Sequence, residues 1–179
     1  MNAKYKVFIA TSIDGYIADK NDGIEWLDIV PNPDHEDMGY YDFIADIDGI
    51  LMGRRSFEKV VSMDVGWPYK IPVFVISSQL ESIPQQYQGK AHLVKGDLEA
   101  VLKDIHDQGY NNLYIDGGRL IRSFLEKDLI ESMTITRLPI VLGGGIPLFT
   151  DLPKSLEFEL VSSEIHLGAL VQSVYKRKR

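Results

Sequence analysis

The sequence predicts an α/β fold, a mostly parallel sheet with helices on both faces. Three observations predict it. Eight short apolar, β-branched runs recur along the whole chain. Four stretches with helical spacing lie between them. Several of the runs are apolar throughout rather than alternating, as strands covered on both faces must be. Alternation of strand and helix then implies right-handed crossovers between parallel strands.

The elements follow in order. Val7-Phe8-Ile9-Ala10 is the first strand and leads into a Gly/Asp-rich loop, Ser12-Ile13-Asp14-Gly15-Tyr16-Ile17-Ala18, then Trp26. Glu36 to Asp46 sets Met38, Tyr41 and Ala45 at helical spacing, and Gly49-Ile50-Leu51-Met52 is the next strand. Arg54 to Met63 reads as a helix with Phe57, Val60 and Val61 inward. Val73-Phe74-Val75-Ile76 and His92-Leu93-Val94 are strands. Asp97 to Gln108 is a helix opened by a capping aspartate and stopped by Gly109. Asn112-Leu113-Tyr114-Ile115 is a strand, Arg119 to Glu126 a helix, and Met133-Thr134-Ile135-Thr136 a strand. The last two runs, Phe158–Val161 and Leu170–Val174, alternate better and suit an antiparallel edge. No repeat and no linker divides the chain, so residues 1–179 read as one domain.

Composition narrows the function. The chain has 179 residues, a formal charge of -7 and no cysteine. The acidic balance argues against a nucleic-acid partner, and Lys176-Arg177-Lys178-Arg179 reads as a solvated tail. The missing cysteines exclude thiolate chemistry. His35, His92, His106 and His166 have no metal-ligand spacing, so no metal is expected. There is no Gly-x-Ser-x-Gly elbow. The apolar stretch after the polar start, Met1 to Lys6, is too short for a leader or a membrane span, and a cytoplasmic protein is expected.

Ligands of such sheets bind beyond the carboxyl ends of the strands, and four strand ends carry unusual residues. Met52-Gly53-Arg54-Arg55-Ser56 puts two arginines at a helix start, against the helix dipole; an anion held there explains them. Ser77 and Ser78 follow a buried strand and offer hydroxyls. Asp116-Gly117-Gly118-Arg119 is either a tight turn or a place where phosphate meets backbone N–H groups. Gly143-Gly144-Gly145 is either a crossover or a wall near substrate.

Taken in order, these marks resemble the dihydrofolate reductase-like superfamily. They are most similar to its small stand-alone bacterial members, which look like the C-terminal reductase domain of bifunctional riboflavin-biosynthesis proteins. The anchors are Ser12–Ala18, Trp26, Met52–Glu58, Ile76-Ser77-Ser78, Asp116-Gly117-Gly118, and Pro139–Gly145 with Pro147-Leu148-Phe149. The resemblance implies an eight-stranded, mostly parallel sheet whose C-terminal strand is antiparallel. It implies NADPH as cofactor. Gly53, Arg54, Arg55 and Ser56 would serve the phosphates, with Ser77 and Ser78 on the 2′-phosphate side. Gly117, Gly118 and Arg119 would meet the pyrophosphate, and Ala10 and Ile17 would line the nicotinamide. Arginine suits a 2′-phosphate, where NAD would favour a carboxylate. The substrate would be a small heterocycle near Trp26 and Tyr41: the phosphoribosylaminouracil of riboflavin biosynthesis, or a pteridine-like ring. A homodimer is implied as well.

The chain departs from dihydrofolate reductase between Trp26 and Gly53, where it is longer. Counting back from Gly53 places Asp37 at the acid position, with Glu36 as rival and water as a third source of the proton. A different class of reading is a nucleotide-binding module of this fold without efficient catalysis.

Overall fold

Every run of buried β-branched residues does become a strand. The computed structural model describes residues 3–63 and 66–179; Met1 and Asn2, the first residues of the polar start, lie outside the described residues. In chain order the elements are β1 (Lys4–Thr11), β2 (Tyr16–Ala18), α1 (Tyr40–Ala45), β3 (Gly49–Gly53), α2 (Arg54–Ser62), β4 (Val73–Ile76), β5 (Ala91–Val94), α3 (Leu98–Asp107), β6 (Asn112–Asp116), α4 (Gly118–Glu126), β7 (Ile130–Arg137), β8 (Ile146–Pro147), β9 (Phe158–His166) and β10 (Leu170–Arg177).

Eight strands form one sheet in the order β5-β4-β3-β6-β1-β7-β10-β9. β1, β3, β4, β5, β6 and β7 are parallel, and β10 runs antiparallel to both β7 and β9. The antiparallel C-terminal strand is therefore internal, and β9 forms the edge. β3, β4 and β6 are buried along nearly their whole length, which accounts for their unbroken apolar sequences.

The two faces have separate cores. On one face α3 and α4 pack Val101, Leu102, Ile105, Ile121 and Phe124 against Val7, Leu51, Leu113 and Ile115. On the other, α1 and α2 cover Ile50, Met52, Val73, Val75 and Tyr114, with Phe57 fully buried beneath α2. Each such large side chain contributes about 1.5–3 kcal/mol of transfer free energy. A smaller cluster joins Trp26, Leu138 and Leu170, with Ala10 packed against it.

Two local expectations fail, each for a backbone reason. The helix read from Glu36 begins only at Tyr40. His35, Met38 and Gly39 all have positive φ, a conformation no helix passes through. Asn32 stabilises that loop: its side-chain amide donates to the carbonyl of Glu36 and its side-chain oxygen accepts from the Glu36 N–H. The second case is β2, which pairs antiparallel with β8 where loops were read. Gly145 lets this happen. A Cβ there would lie 2.0 Å from the carbonyl oxygen of Ala18, so only glycine fits. Gly145 thus packs against β2, whereas a Cβ on Gly143 would meet nothing within 4 Å and one on Gly144 only the Lys20 side chain. Among the described residues no helix is long and apolar enough to cross a membrane.

Candidate active site

The carboxyl ends of the parallel strands β1, β3, β4, β5 and β6 form one rim of the sheet. Three helices begin on it in different ways. α3, at the outer side, is capped: Asp97 Oδ1 accepts from the N–H of Ala100 at 2.9 Å. α2 and α4 begin after Gly53 and Gly117, with no side-chain cap and no acidic residue in the first turn. Their strands, β3 and β6, are neighbours, so two sets of free N–H groups stand side by side. The two starts touch, since a Cβ on Gly117 would lie 2.6 Å from Ser56 Oγ. Gly118 has no room for a side chain either: its Cβ would lie 2.5 Å from Cδ1 of Ile17, which folds over this helix start.

Cationic and hydroxyl groups surround the paired starts. Arg54 holds Glu58 at 3.1 Å along α2, and Arg55 is exposed on a groove shared with Lys20, Glu58 and Ile146. Arg119 is exposed on the first turn of α4. Ser77 Oγ accepts from the N–H groups of Gln79 and Leu80 at 3.1 and 3.0 Å, which fixes the turn and leaves its O–H proton to donate outward. Ser78 is exposed beside it. The arginines, Lys20 and the serines are donors that suit an anion, while Asp19, Asp22 and Glu58 line the same groove as carboxylates.

The β1 side of the rim is tied down. Asp14 accepts from Ser12 Oγ at 2.6 Å and from the N–H groups of Leu142 and Gly143 at 3.0 and 2.8 Å. The Ser12 hydroxyl, then the two backbone donors, hold its carboxyl below the usual range. Trp26 is buried, and its Nε1 donates to the carbonyl of Gly23. It contributes chiefly to the small core beside Ala10.

On the α1/α2 face an aromatic cluster packs beneath the rim. Phe8 lies 5.5 Å from Tyr40 and 5.1 Å from Phe43, and Phe43 lies edge-on to Tyr114 at 5.2 Å. Asp116 ends β6 on the same side as Tyr114, because side chains alternate along a strand. Burial lifts the Asp116 carboxyl to about 6, opposed only by the N–H of Gly117. Burial and then the charge of Asp116 push the phenols of Tyr40, Tyr69 and Tyr114 upward. A carboxyl with this affinity for a proton, facing phenols rather than cations, is equipped to donate or accept a hydrogen bond near neutral pH.

The rim is that of a known family. A family model described as RibD C-terminal domain matches residues 3–166. The chain belongs to that family. A crystal structure from Shewanella sp. PV-4, of a protein named for riboflavin biosynthesis, is 49% identical and superposes with a TM-score of 0.94, covering 98% of this chain and 99% of that one. The diaminohydroxyphosphoribosylaminopyrimidine deaminase/5-amino-6-(5-phosphoribosylamino)uracil reductase of Thermotoga maritima superposes with a TM-score of 0.75 at 12% identity; this chain is covered to 99% and spans 57% of that protein. Dihydrofolate reductase from Enterococcus faecalis shares the fold, with a TM-score of 0.68 at 15% identity over 98% of this chain and 97% of that one. The RibD-type domain here is thus a dihydrofolate reductase-like fold.

Within this RibD-type domain the expected site residues fall into two groups. Gly53, Arg54, Arg55, Ser56, Ser77, Ser78, Gly117, Gly118, Arg119 and Ile17 gather about the paired helix starts. The expected acids lie elsewhere in character. Asp37 caps α1, its Oδ2 accepting from the N–H of Tyr41 at 2.7 Å and its Oδ1 from Gly39 at 3.3 Å. Glu36 pairs with Nδ1 of His166. Tyr41 is 70% exposed, on the solvent side of α1. Sequence reasoning did not single out the Asp116 carboxyl, which burial lifts to about 6. Its signal was present: a carboxylate closing the apolar strand Leu113-Tyr114-Ile115, one residue before a glycine pair.

Proposed function

We propose that the protein is a cytoplasmic, NADPH-dependent reductase that transfers a hydride to a small nitrogen heterocycle. The substrate would be the phosphoribosylaminouracil of riboflavin biosynthesis or a pteridine-like ring. The observation that carries this reading is the pair of uncapped helix starts at Gly53 and Gly117, in contact through Ser56 and flanked by Arg54, Arg55 and Arg119. Free N–H groups at two adjacent helix starts suit a pyrophosphate, and a guanidinium with a serine hydroxyl suits a 2′-phosphate. The reduced nicotinamide would supply the hydride and its two electrons. The chain itself would bind the phosphates, orient the ring against β1 through Ala10 and Ile17, and exclude water with the β2–β8 pair. A homodimer belongs to the same reading, supported by Leu160, Val161 and Ile165 exposed on the edge strand β9.

Titration with NADPH and with NADH, followed by nicotinamide fluorescence, tests the cofactor. NADPH is expected to bind in the micromolar range and NADH far more weakly. Arg54→Ala should lower NADPH affinity by about tenfold or more, as befits a charged hydrogen bond worth roughly 1.5–3 kcal/mol, and NADH affinity much less. Equal losses for both would remove the 2′-phosphate from Arg54. A second reading, a nucleotide-binding module without efficient catalysis, is favoured by one observation: both oxygens of Asp37 are engaged in capping α1. NADPH oxidation with a heterocycle panel separates the two, since the module would bind and never turn over.

A further inference from the structure

We propose that Glu58 sets how strongly the rim discriminates between cofactors, competing with the 2′-phosphate for Arg54 and so narrowing the preference for NADPH over NADH. The inference rests on the reductase reading above and adds to it a residue that opposes the phosphate. Three observations carry it. Glu58 Oε1 accepts from Nη1 of Arg54 at 3.1 Å, one turn further along α2. The two side chains are 36% and 48% exposed, Arg54 and Glu58 in that order, so packing does not lock the pair and a ligand can part it. Glu58 also lines, with Lys20 and Arg55, a groove of about 620 Å³ beside the start of α2. Of the other carboxylates on that groove, Asp19 is already engaged by the N–H groups of Asn21 and Gly23, at 2.7 and 2.8 Å. Lys59, next to Glu58, turns its Nζ to the carbonyl of Asp22 at 3.2 Å and leaves Glu58 to Arg54.

Helix stability accounts poorly for the pair. Its cation stands on the first residue of α2, where the dipole disfavours it, and its acid follows one turn later, the weaker of the two orders. An exposed pair at this spacing changes an equilibrium constant by only about twofold. A phosphate carries more charge and offers the guanidinium two oxygens at once, so it displaces the carboxylate. Glu58 then stands a short distance from that phosphate as a like charge, and the repulsion weakens NADPH. NADH has a neutral ribose hydroxyl at the same place. A carboxylate accepts a hydrogen bond from that hydroxyl, which a phosphate has no proton to match. One side chain therefore acts on the two cofactors with opposite sign, which is selection by a repulsive element as well as by an attractive one.

The test titrates the full chain, wild type, Glu58→Gln and Glu58→Asp, with NADPH and with NADH, following nicotinamide fluorescence. Glu58 is exposed, so the variants are expected to fold, and thermal melts check that they do. Glu58→Gln keeps the size of the side chain and removes its charge. NADPH should bind it about fivefold more tightly than wild type, and NADH about twofold more weakly, so the preference for NADPH rises about tenfold. In about 1 M sodium chloride the gain in NADPH affinity should shrink to within about twofold, because salt screens the repulsion. Glu58→Asp keeps the charge and should stay within about threefold of the wild-type preference. A purely structural role would move both cofactors alike. Unchanged or weaker NADPH binding by Glu58→Gln, or equal shifts for NADPH and NADH, overturns the role of Glu58 and leaves the cofactor site standing. Failure of wild type and variants alike to bind either cofactor sinks the reductase reading, and the role of Glu58 falls with it.

Discussion

The rim of the sheet satisfies itself at its outer side and leaves its centre open. At the start of α3, Asp97 caps the first turn and little is left to bind. At the starts of α2 and α4, two residues in the same structural position are glycines, and the N–H groups are left free. Asp116 follows the same rule, standing without a side-chain donor while the capping carboxylate of α3 is engaged. The difference teaches where function sits. Over the centre of the rim, groups that a stability argument would pair are left unpaired, where a ligand would complete them.

The contrast can be broken most strongly at Asp116. Its folded pKa of about 6 lies above the ordinary 3.8, so the native state binds the proton more tightly than the unfolded chain. Stability from this group is therefore full below about pH 4, falls as pH rises towards 6, and stays low above it. The fall amounts to up to about 3 kcal/mol. Asp116→Asn should abolish it, so that urea melts at pH 4 and pH 7 differ less in the variant than in wild type. An unchanged pH slope would show that Asp116 titrates normally.

Next in size is Gly53→Asp. Gly53 has extended backbone, φ -74° and ψ 162°, and a Cβ there meets nothing within 4 Å. The aspartate should cap α2 as Asp97 caps α3, adding up to about 1 kcal/mol of stability. It also sets a negative charge where the phosphates would lie, and NADPH affinity should fall by about thirtyfold, roughly 2 kcal/mol. Thermal melting and fluorescence titration on one sample would show the two effects with opposite sign. The smallest effect sharpens the other half of the comparison. Asp97→Ala should cost about 1 kcal/mol in melts and leave NADPH affinity unchanged.

Much of this was legible in the sequence. The strands were plain because buried parallel strands need unbroken apolar residues, as in Val73-Phe74-Val75-Ile76. An anion beside α2 was expected because Arg54 and Arg55 oppose a helix dipole; in the structure Arg54 pairs with Glu58 and Arg55 is exposed. The loop before α1 was not, because left-handed backbone at His35 and Met38 has no sequence signature outside glycine. The β2–β8 pair was hidden by its shortness: three residues against two carry no periodicity. The environment of Asp116 was hidden for another reason. It is made by Tyr40, Tyr69 and Tyr114, which come from three separate stretches of chain and meet only once the sheet is built.

The internal place of β10 bears on how the molecule is made. β9 pairs with β10 alone, and β10 fills the space between β9 and β7. During synthesis the whole rim, from β1 through β6, has emerged before either of these last two strands exists. Until then β7 presents its backbone as an open edge, a template for any passing strand. The last two strands are antiparallel neighbours, and a hairpin of that kind closes in microseconds, against a chain that grows over seconds. The nascent molecule therefore holds a nearly finished binding rim beside an unfinished sheet, and its vulnerable interval is the time taken to translate from β7 to β10.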